Sequence, residues 1–441
     1  MAEYDAIVIG AGPAGEVCAG ALADGGLRVA VAERELVAGE CSYWACIPSK
    51  TLLRVGEAVA QAREVPGARE AVDGGIDAAQ ALAWRDFMVS DYRDEGQVEW
   101  LEGKGIALLR GDARLAGPGA VEVDGERHRA RHVVVATGSD PILPPIDGLD
   151  GLDGVWTNRE ATGLKEVPRR LLVLGDGPVG VEMAQAIHRL GAEVCLVVAG
   201  DRVLPREPEP LGRALTEALR ADGIELHCGR HAASARRDGE GYVLGMEDGG
   251  ELRGDRLLIA TGRRPRLDGL GLDSVGVEPE RHGIPVDARL CAGDGLWAIG
   301  DAAAVPWQLT YVGKYQARVA AANILGRPRA ARYDAVPRVV FTDPQAAAVG
   351  AADGERTSTV QLETVARTST YTRAYEGKGF LTVVADGRCL TGAYALGPEA
   401  GEWLQQATLA IRGRVPLDVL RDTIQPFPTF SEAYVDALAG L

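Results

Sequence analysis

A stretch built as strand, glycine turn, helix and strand occurs twice in this chain, and that duplication limits the available folds more than any other feature. The first copy, YDAIVIGAGPAGEVCAGALADGGLRVAVAERE, carries Gly10, Gly12 and Gly15, with Pro13 and Ala14 before the last. The second, RRLLVLGDGPVGVEMAQAIHRLGAEVCLVV, carries Gly175, Gly177 and Gly180, with Pro178 and Val179 in the corresponding places. Such spacing asks for glycine at a tight turn, at the close approach of a pyrophosphate, and where helix packs on strand. The helix N-terminus then stabilises the phosphate charge. Glu33 ends the strand after the first helix, where a carboxylate accepts from ribose hydroxyls. Each copy leads to a strand ending in Ala-Thr-Gly, at RHVVVATGS (131–139) and RLLIATGRRPR (256–266). The expected fold class is therefore α/β with two Rossmann-like dinucleotide-binding domains.

The rest of the chain fits around these copies. At 441 residues it is too long for one ordinary core. The first unit is expected over 1–145, the second over 146–266 after the proline-rich DPILPPIDG, and a return segment over 267–334 containing the strand LWAIGDAAA (296–304). From about 335 the pattern changes to alternating stretches such as PRVVFTD and GFLTVVAD with two helices, which reads as a separate α+β domain. Residues 66–100 have a helical tendency and no legible chemistry. The net charge of −16, with no basic runs, argues against nucleic acid and against an anionic membrane surface. The chain opens directly on a strand without a leader pattern, and no apolar run approaches the roughly 18 residues of a spanning helix. A soluble, cytoplasmic protein is expected.

Of the cysteines at 18, 41, 46, 195, 228, 291 and 389, only Cys41 and Cys46 are close in sequence, in GECSYWACIPSKTLLR. The pair could be half of a metal site or two buried thiols, but no partner Cys/His pair has ligand spacing. It directly precedes a helical pattern, whose N-terminal dipole lowers a thiolate pKa, and Lys50 adds positive charge one turn on. A redox-active pair is the reading, and no metal is expected. In the second copy Val198 stands where an NAD-selective acid belongs. Arg202 and Arg206 are placed to approach a 2′-phosphate instead, which leans the nucleotide toward NADPH over NADH.

GAGPAG, the Cys-x4-Cys-IPSK box, ATGS, GDGPVGVE, ATGRRP, AIGDAA, VVFTDP and PTFSE follow one another in order along nearly the whole chain. In this the chain resembles the group I pyridine nucleotide–disulfide oxidoreductases, which include dihydrolipoamide dehydrogenase, glutathione reductase and mercuric reductase. The resemblance implies FAD on Gly10–Gly15 and Glu33, with Asp301 on its ribityl chain. Arg34, Gly39, Glu40, Ala113, Thr137, Gly138, Ser139, Gly300, Leu309 and Thr310 would supply further contacts. It implies NADPH or NADH on Gly175–Gly180, with Glu182, Val198, Arg202, Gly262 and Arg263 nearby. Cys46 would face the flavin and Cys41 would exchange with substrate, in a disulfide that opens and closes. Lys50 would lie near the flavin N5 and pair with Glu182. The last domain would form a homodimer, with PTFSE completing the neighbouring active site.

One position breaks the family pattern. Before the Pro-Thr of this motif the family's disulfide reductases carry a histidine, paired with a glutamate five residues on; here those positions are Phe427 and Glu432. None of the six histidines lies beyond 282, so no shift of register supplies an imidazole. A general acid or base is worth roughly 10²–10⁴ in rate, so an ordinary small disulfide should be a poor substrate. Tyr43 and Trp44 also place bulky rings between the cysteines, either narrowing access, stacking on a flat substrate or packing the core. The expected function is hydride transfer from NAD(P)H through flavin to Cys41–Cys46 and on to an unidentified thiol or disulfide. The alternatives are a quinone-type flavin reductase with the cysteines secondary, and a ketopropyl-coenzyme M carboxylase-like enzyme. That last branch also carries Phe for the histidine, but it has a histidine where this chain keeps Glu432. A subunit docked into a larger assembly finds no lipoyl-like segment in its support.

Overall fold

The structure, a computed structural model, describes residues 3–371 and 377–441. It divides into two compact units: Met1–Pro48, Asp86–Ile142 and Gly262–Arg332 form one, and Ser49–Arg85, Leu143–Thr261 and Tyr333–Leu441 the other. Among the described residues no helix is long and apolar enough to cross a membrane.

The first unit is organised by a parallel sheet in the order Leu296–Ala298, Glu126–Val135, Glu3–Ile9, Val29–Glu33, Ala107–Arg110, with Cys291–Gly293 antiparallel at one edge. Glu3–Ile9 lies inside it, and Ala6–Ile9 are at most 3% exposed. A continuous apolar run is what a strand covered on both faces requires. The strand read from RHVVVATGS is longer than its apolar part. It runs over Glu126–Val135 because its polar half pairs antiparallel with Ala120–Val123, itself paired with Ala113–Leu115.

In the second unit four parallel strands run in the order Glu225–Cys228, Glu193–Val198, Arg170–Leu174, Arg256–Ile259. A three-stranded antiparallel sheet (Ala232–Asp238, Gly241–Met246, Glu251–Gly254) stands beside them in sequence. The C-terminal part is a five-stranded antiparallel sheet: Arg338–Val340, Gln345–Gly350, Leu390–Gly397, Phe380–Ala385, Arg356–Gln361. The expected alternation in GFLTVVAD is absent, since all of Phe380–Ala385 is buried. Leu381, Val383 and Ala385 pack with Leu404, Ala407, Ala437 and Leu438, while Phe380 and Val384 join the core of the parallel-sheet part. Both faces of that strand are covered, unlike the edge strand Arg356–Gln361, which is polar and mostly exposed. The helices of the C-terminal part also outnumber the two expected: Ala366–Tyr371, Ala400–Trp403, Gln405–Gly413, Leu417–Arg421 and Ala433–Ala439.

Candidate active site and nucleotide sites

The two glycine turns share one steric frame. Gly10 has φ +101° and Gly175 φ +133°, in the region that L side chains avoid. A Cβ at Gly15 would stand 1.9 Å from the Gly10 carbonyl oxygen, and one at Gly180 2.1 Å from that of Gly175. Only glycine lets helix and strand approach so closely. Pro13–Asp24 and Pro178–Arg189 both start on proline, and neither Gly12 nor Gly177 provides a side-chain cap. Nothing lies within 4 Å of where a Cβ would be on Gly12 or Gly177. Each helix therefore offers uncapped first-turn amides above open space, which suits a pyrophosphate.

In the first unit Glu33 Oε2 accepts from the Ala11 N–H at 2.8 Å and Oε1 from the Glu35 N–H at 2.8 Å. Gly39 lies against the same turn, 2.7 Å from its would-be Cβ to Gly12 Cα. Ser139 Oγ donates to Asp301 at 2.6 Å, and Arg263 donates to Ser139 Oγ and to its carbonyl. Glu40 lies 3.5 Å from both Arg263 and Arg266. Burial raises the Asp301 carboxyl above its ordinary range, with Ser139 and Arg263 opposing. Thr137 donates to the Arg266 carbonyl at 2.7 Å. Gly138 and Gly300 adopt positive φ. Ala113 is half-buried in its hairpin, Leu309 precedes the helix Thr310–Ile324, and Arg34 is exposed toward Asp112 at 3.6 Å.

Cys41 and Cys46 have their Sγ atoms 2.7 Å apart, and the Thr310 hydroxyl lies 3.3 Å from each. Cys46 opens the helix Cys46–Glu64, whereas Cys41 sits in the short helix Gly39–Tyr43. The helix N-terminus lies at Cys46, and at Cys41 the thiol pKa is raised rather than lowered. Contact with the Cys46 sulfur, then burial, raise its thiol, against smaller opposing effects of Thr310 and Lys314. Tyr43 is 2% exposed, donates to the Arg93 carbonyl at 3.2 Å, and is pushed up to about 12 by burial first. It packs the core, and Trp44 lies between it and Tyr92.

In the second unit Lys50 Nζ donates to Glu182 Oε2 at 2.7 Å and lies 4.7 Å above the Phe341 ring. Glu182 Oε1 accepts from the Phe341 N–H at 2.9 Å. Gln185 accepts from the Asp343 N–H at 2.7 Å, and Arg189 pairs with Asp343 and Asp222 at 2.8 Å each. Residues 182, 185 and 189 share one helix face, so this helix fixes the backbone of 341–343 that supports Lys50. Sequence reading missed Phe341, Gln185 and Arg189, and named Thr310 as a flavin contact without its place beside the two sulfurs. The only signal was helical spacing from Glu182.

Val198 is fully buried. Arg202 is committed to its own loop, with Nη1 3.2 Å from Asp201 and Nη2 3.5 Å from the Pro205 carbonyl. Arg206 is exposed. Gly262 has φ +138°. In the C-terminal part Phe427 is 70% exposed and Ile424 94%, while Glu432 Oε2 is buried without a hydrogen-bond partner among the described residues and the Tyr434 hydroxyl is buried near the Ala407 backbone. Burial raises the Tyr434 phenol further.

A glycine turn that occurs twice, with the Cys41–Cys46 pair in the first unit and the Lys50–Glu182 ion pair in the second, is the residue set of a flavoprotein disulfide reductase. The chain belongs to the pyridine nucleotide-disulphide oxidoreductase family, whose profile matches residues 4–322, and it carries that family's dimerisation domain over 336–438. It is 36% identical to the dihydrolipoyl dehydrogenase of Thermus scotoductus over 456 residues, covering 100% of this chain and 98% of that protein. A mercuric reductase of Acidithiobacillus ferrooxidans is 36% identical over 98% of this chain and 81% of its own length. Among solved structures it is similar to the HOCl-induced flavoprotein disulfide reductase RclA of Escherichia coli, in a Cu(II) complex, at TM-score 0.87 and 26% identity over 100% and 99% of the two chains. LpdA of Mycobacterium tuberculosis matches at the same score, identity and coverage. The family is FAD-dependent and uses NAD(P)H. The uncapped glycine turns and the Glu33 carboxylate fit FAD in the first unit, and the second turn fits the pyridine nucleotide.

Proposed function

We propose that this chain works as a homodimer that passes two electrons from NAD(P)H to Cys41–Cys46 and on to a small disulfide, which leaves as thiol. The observation carrying this reading is the sulfur pair at 2.7 Å with a hydroxyl 3.3 Å from each member. FAD held on Gly10–Gly15 and Glu33 would supply the two-electron relay between the nicotinamide hydride and that disulfide. NAD(P)H and one proton then give NAD(P)⁺ and two thiols, and the thiols reduce a substrate disulfide while the Cys41–Cys46 bond re-forms. Cys41 exchanges with substrate and Cys46 faces the flavin. Thr310 orients both sulfurs, and Lys50 places a positive charge held by Glu182 and the Phe341 ring. Phe427 offers no proton to a leaving thiolate, so the favoured substrate is one whose thiol leaves as a stable anion.

The test is anaerobic reduction with NADPH or NADH. Uptake of two hydride equivalents and a long-wavelength thiolate–flavin band are expected; one equivalent would remove the cysteines from the route. A second reading is favoured by Phe427 itself: transfer from the flavin directly to a quinone-like acceptor needs no acid. The C41S protein separates the two. Quinone turnover should collapse if electrons pass through Cys41 and should be unchanged if they do not.

A further inference from the structure

The two glycine turns can be superposed residue by residue through their backbone bonds. The Gly10 N–H donates to the Ala32 carbonyl and the Gly175 N–H to that of Val197. The Ala11 carbonyl accepts from the Ala38 N–H and the Asp176 carbonyl from the Leu204 N–H. Asp176 therefore occupies the place of Ala11, and Val198 that of Glu33. The two copies have exchanged their acid across one corner. In the first unit the carboxylate comes from the strand end and accepts from the turn N–H of Ala11 at 2.8 Å. In the second it comes from the turn, where burial raises the Asp176 carboxyl and the Ala199 backbone, just beyond the strand end, opposes that. Leu174 and Val197 are register partners, so turn and strand end are neighbours in either case.

We propose that Asp176 is the residue that binds the adenosine ribose diol, replacing from the glycine turn the carboxylate that Val198 lacks, and that it makes the enzyme NADH-selective. This rests on the reading that the second turn holds the pyridine nucleotide. Two ribose hydroxyls can donate to a half-buried carboxylate there, whereas a 2′-phosphate would meet like charge at close range. Of the two arginines nearby in sequence, Arg202 is committed to its loop, and the charge of Arg206 acts on the Asp176 carboxyl. On this proposal the lean toward NADPH drawn from Val198, Arg202 and Arg206 is reversed.

The holoenzyme is titrated calorimetrically with ADP-ribose and with its 2′-phosphate, and flavin reduction by NADH and NADPH is followed in parallel. The wild type should bind ADP-ribose tighter by roughly 10- to 100-fold, the range of a hydrogen bond to a charged group. D176A should bring the ratio toward one by weakening ADP-ribose. D176N, which keeps an acceptor and removes the charge, should mainly strengthen the 2′-phosphate. Tighter wild-type binding of the 2′-phosphate overturns the proposal, as does an unchanged ratio in D176A or a 2′-phosphate preference that vanishes in R206A. Selective ADP-ribose binding that D176A abolishes, with no flavin reduction by either nucleotide, would sustain it while refuting the redox reading.

Discussion

The two nucleotide units differ where their backbones do not. Both place twelve-residue helices after the same turn, with the same crowding at Gly15 and Gly180. Yet the residue after that glycine is Glu16 in the first and the buried Val181 in the second, where the acid is displaced by one to Glu182. That displacement turns the carboxylate from the surroundings of Lys314 to an ion pair with Lys50. The frame is a generic phosphate cradle. The two copies differ in where single acids stand.

The same substitution in both frames gives the largest effect. G15V drives a side chain into the Gly10 carbonyl and should yield protein without bound FAD, read as loss of visible absorbance with far-ultraviolet circular dichroism kept. G180V should remain yellow and lose reduction by NAD(P)H. If both variants lose flavin, the division of labour between the turns is wrong. A smaller effect is expected from E182Q, which keeps an acceptor for the Phe341 N–H and leaves Lys50 without its charge partner. Its flavin reduction rate should fall roughly tenfold, with little change in nucleotide affinity. An equal fall in affinity would make Glu182 a binding residue instead.

The frame was legible because steric demands are written in residue type: glycines at fixed spacing, an apolar run for a strand covered on both faces, an acid at a strand end. The cysteine pair was legible for the same reason. What could not be read is what depends on neighbours brought in from elsewhere in the chain. Thr310 lies far in sequence from the sulfurs it contacts. Phe341 becomes part of the Lys50 surroundings only because Glu182, Gln185 and Arg189 fix its segment. Val198 suggested a missing acid, since sequence compares one strand end with another and cannot see that the adjoining turn supplies one. The burial of Phe380–Ala385 on both faces likewise depends on helices from two parts of the second unit.

The acid left in the first unit sharpens the comparison by its titration. Burial first, with Glu33 adding, pushes the Glu16 carboxyl from its ordinary value up to about 7, and Lys314 only partly offsets this. Folded protein then holds a proton that the unfolded chain releases, so Glu16 contributes its stability in full below about pH 4.5. That contribution is lost as pH rises through about 7. Urea unfolding of the wild type and E16Q should show it as a difference that shrinks from acid to alkaline pH by at most about 3 kcal/mol. Glutamine, neutral throughout, has no such slope. A difference that stays flat across this range would mean that Glu16 is ionised in the folded state. The first unit would then carry a paired charge, as the second does at Glu182, rather than a proton held by burial.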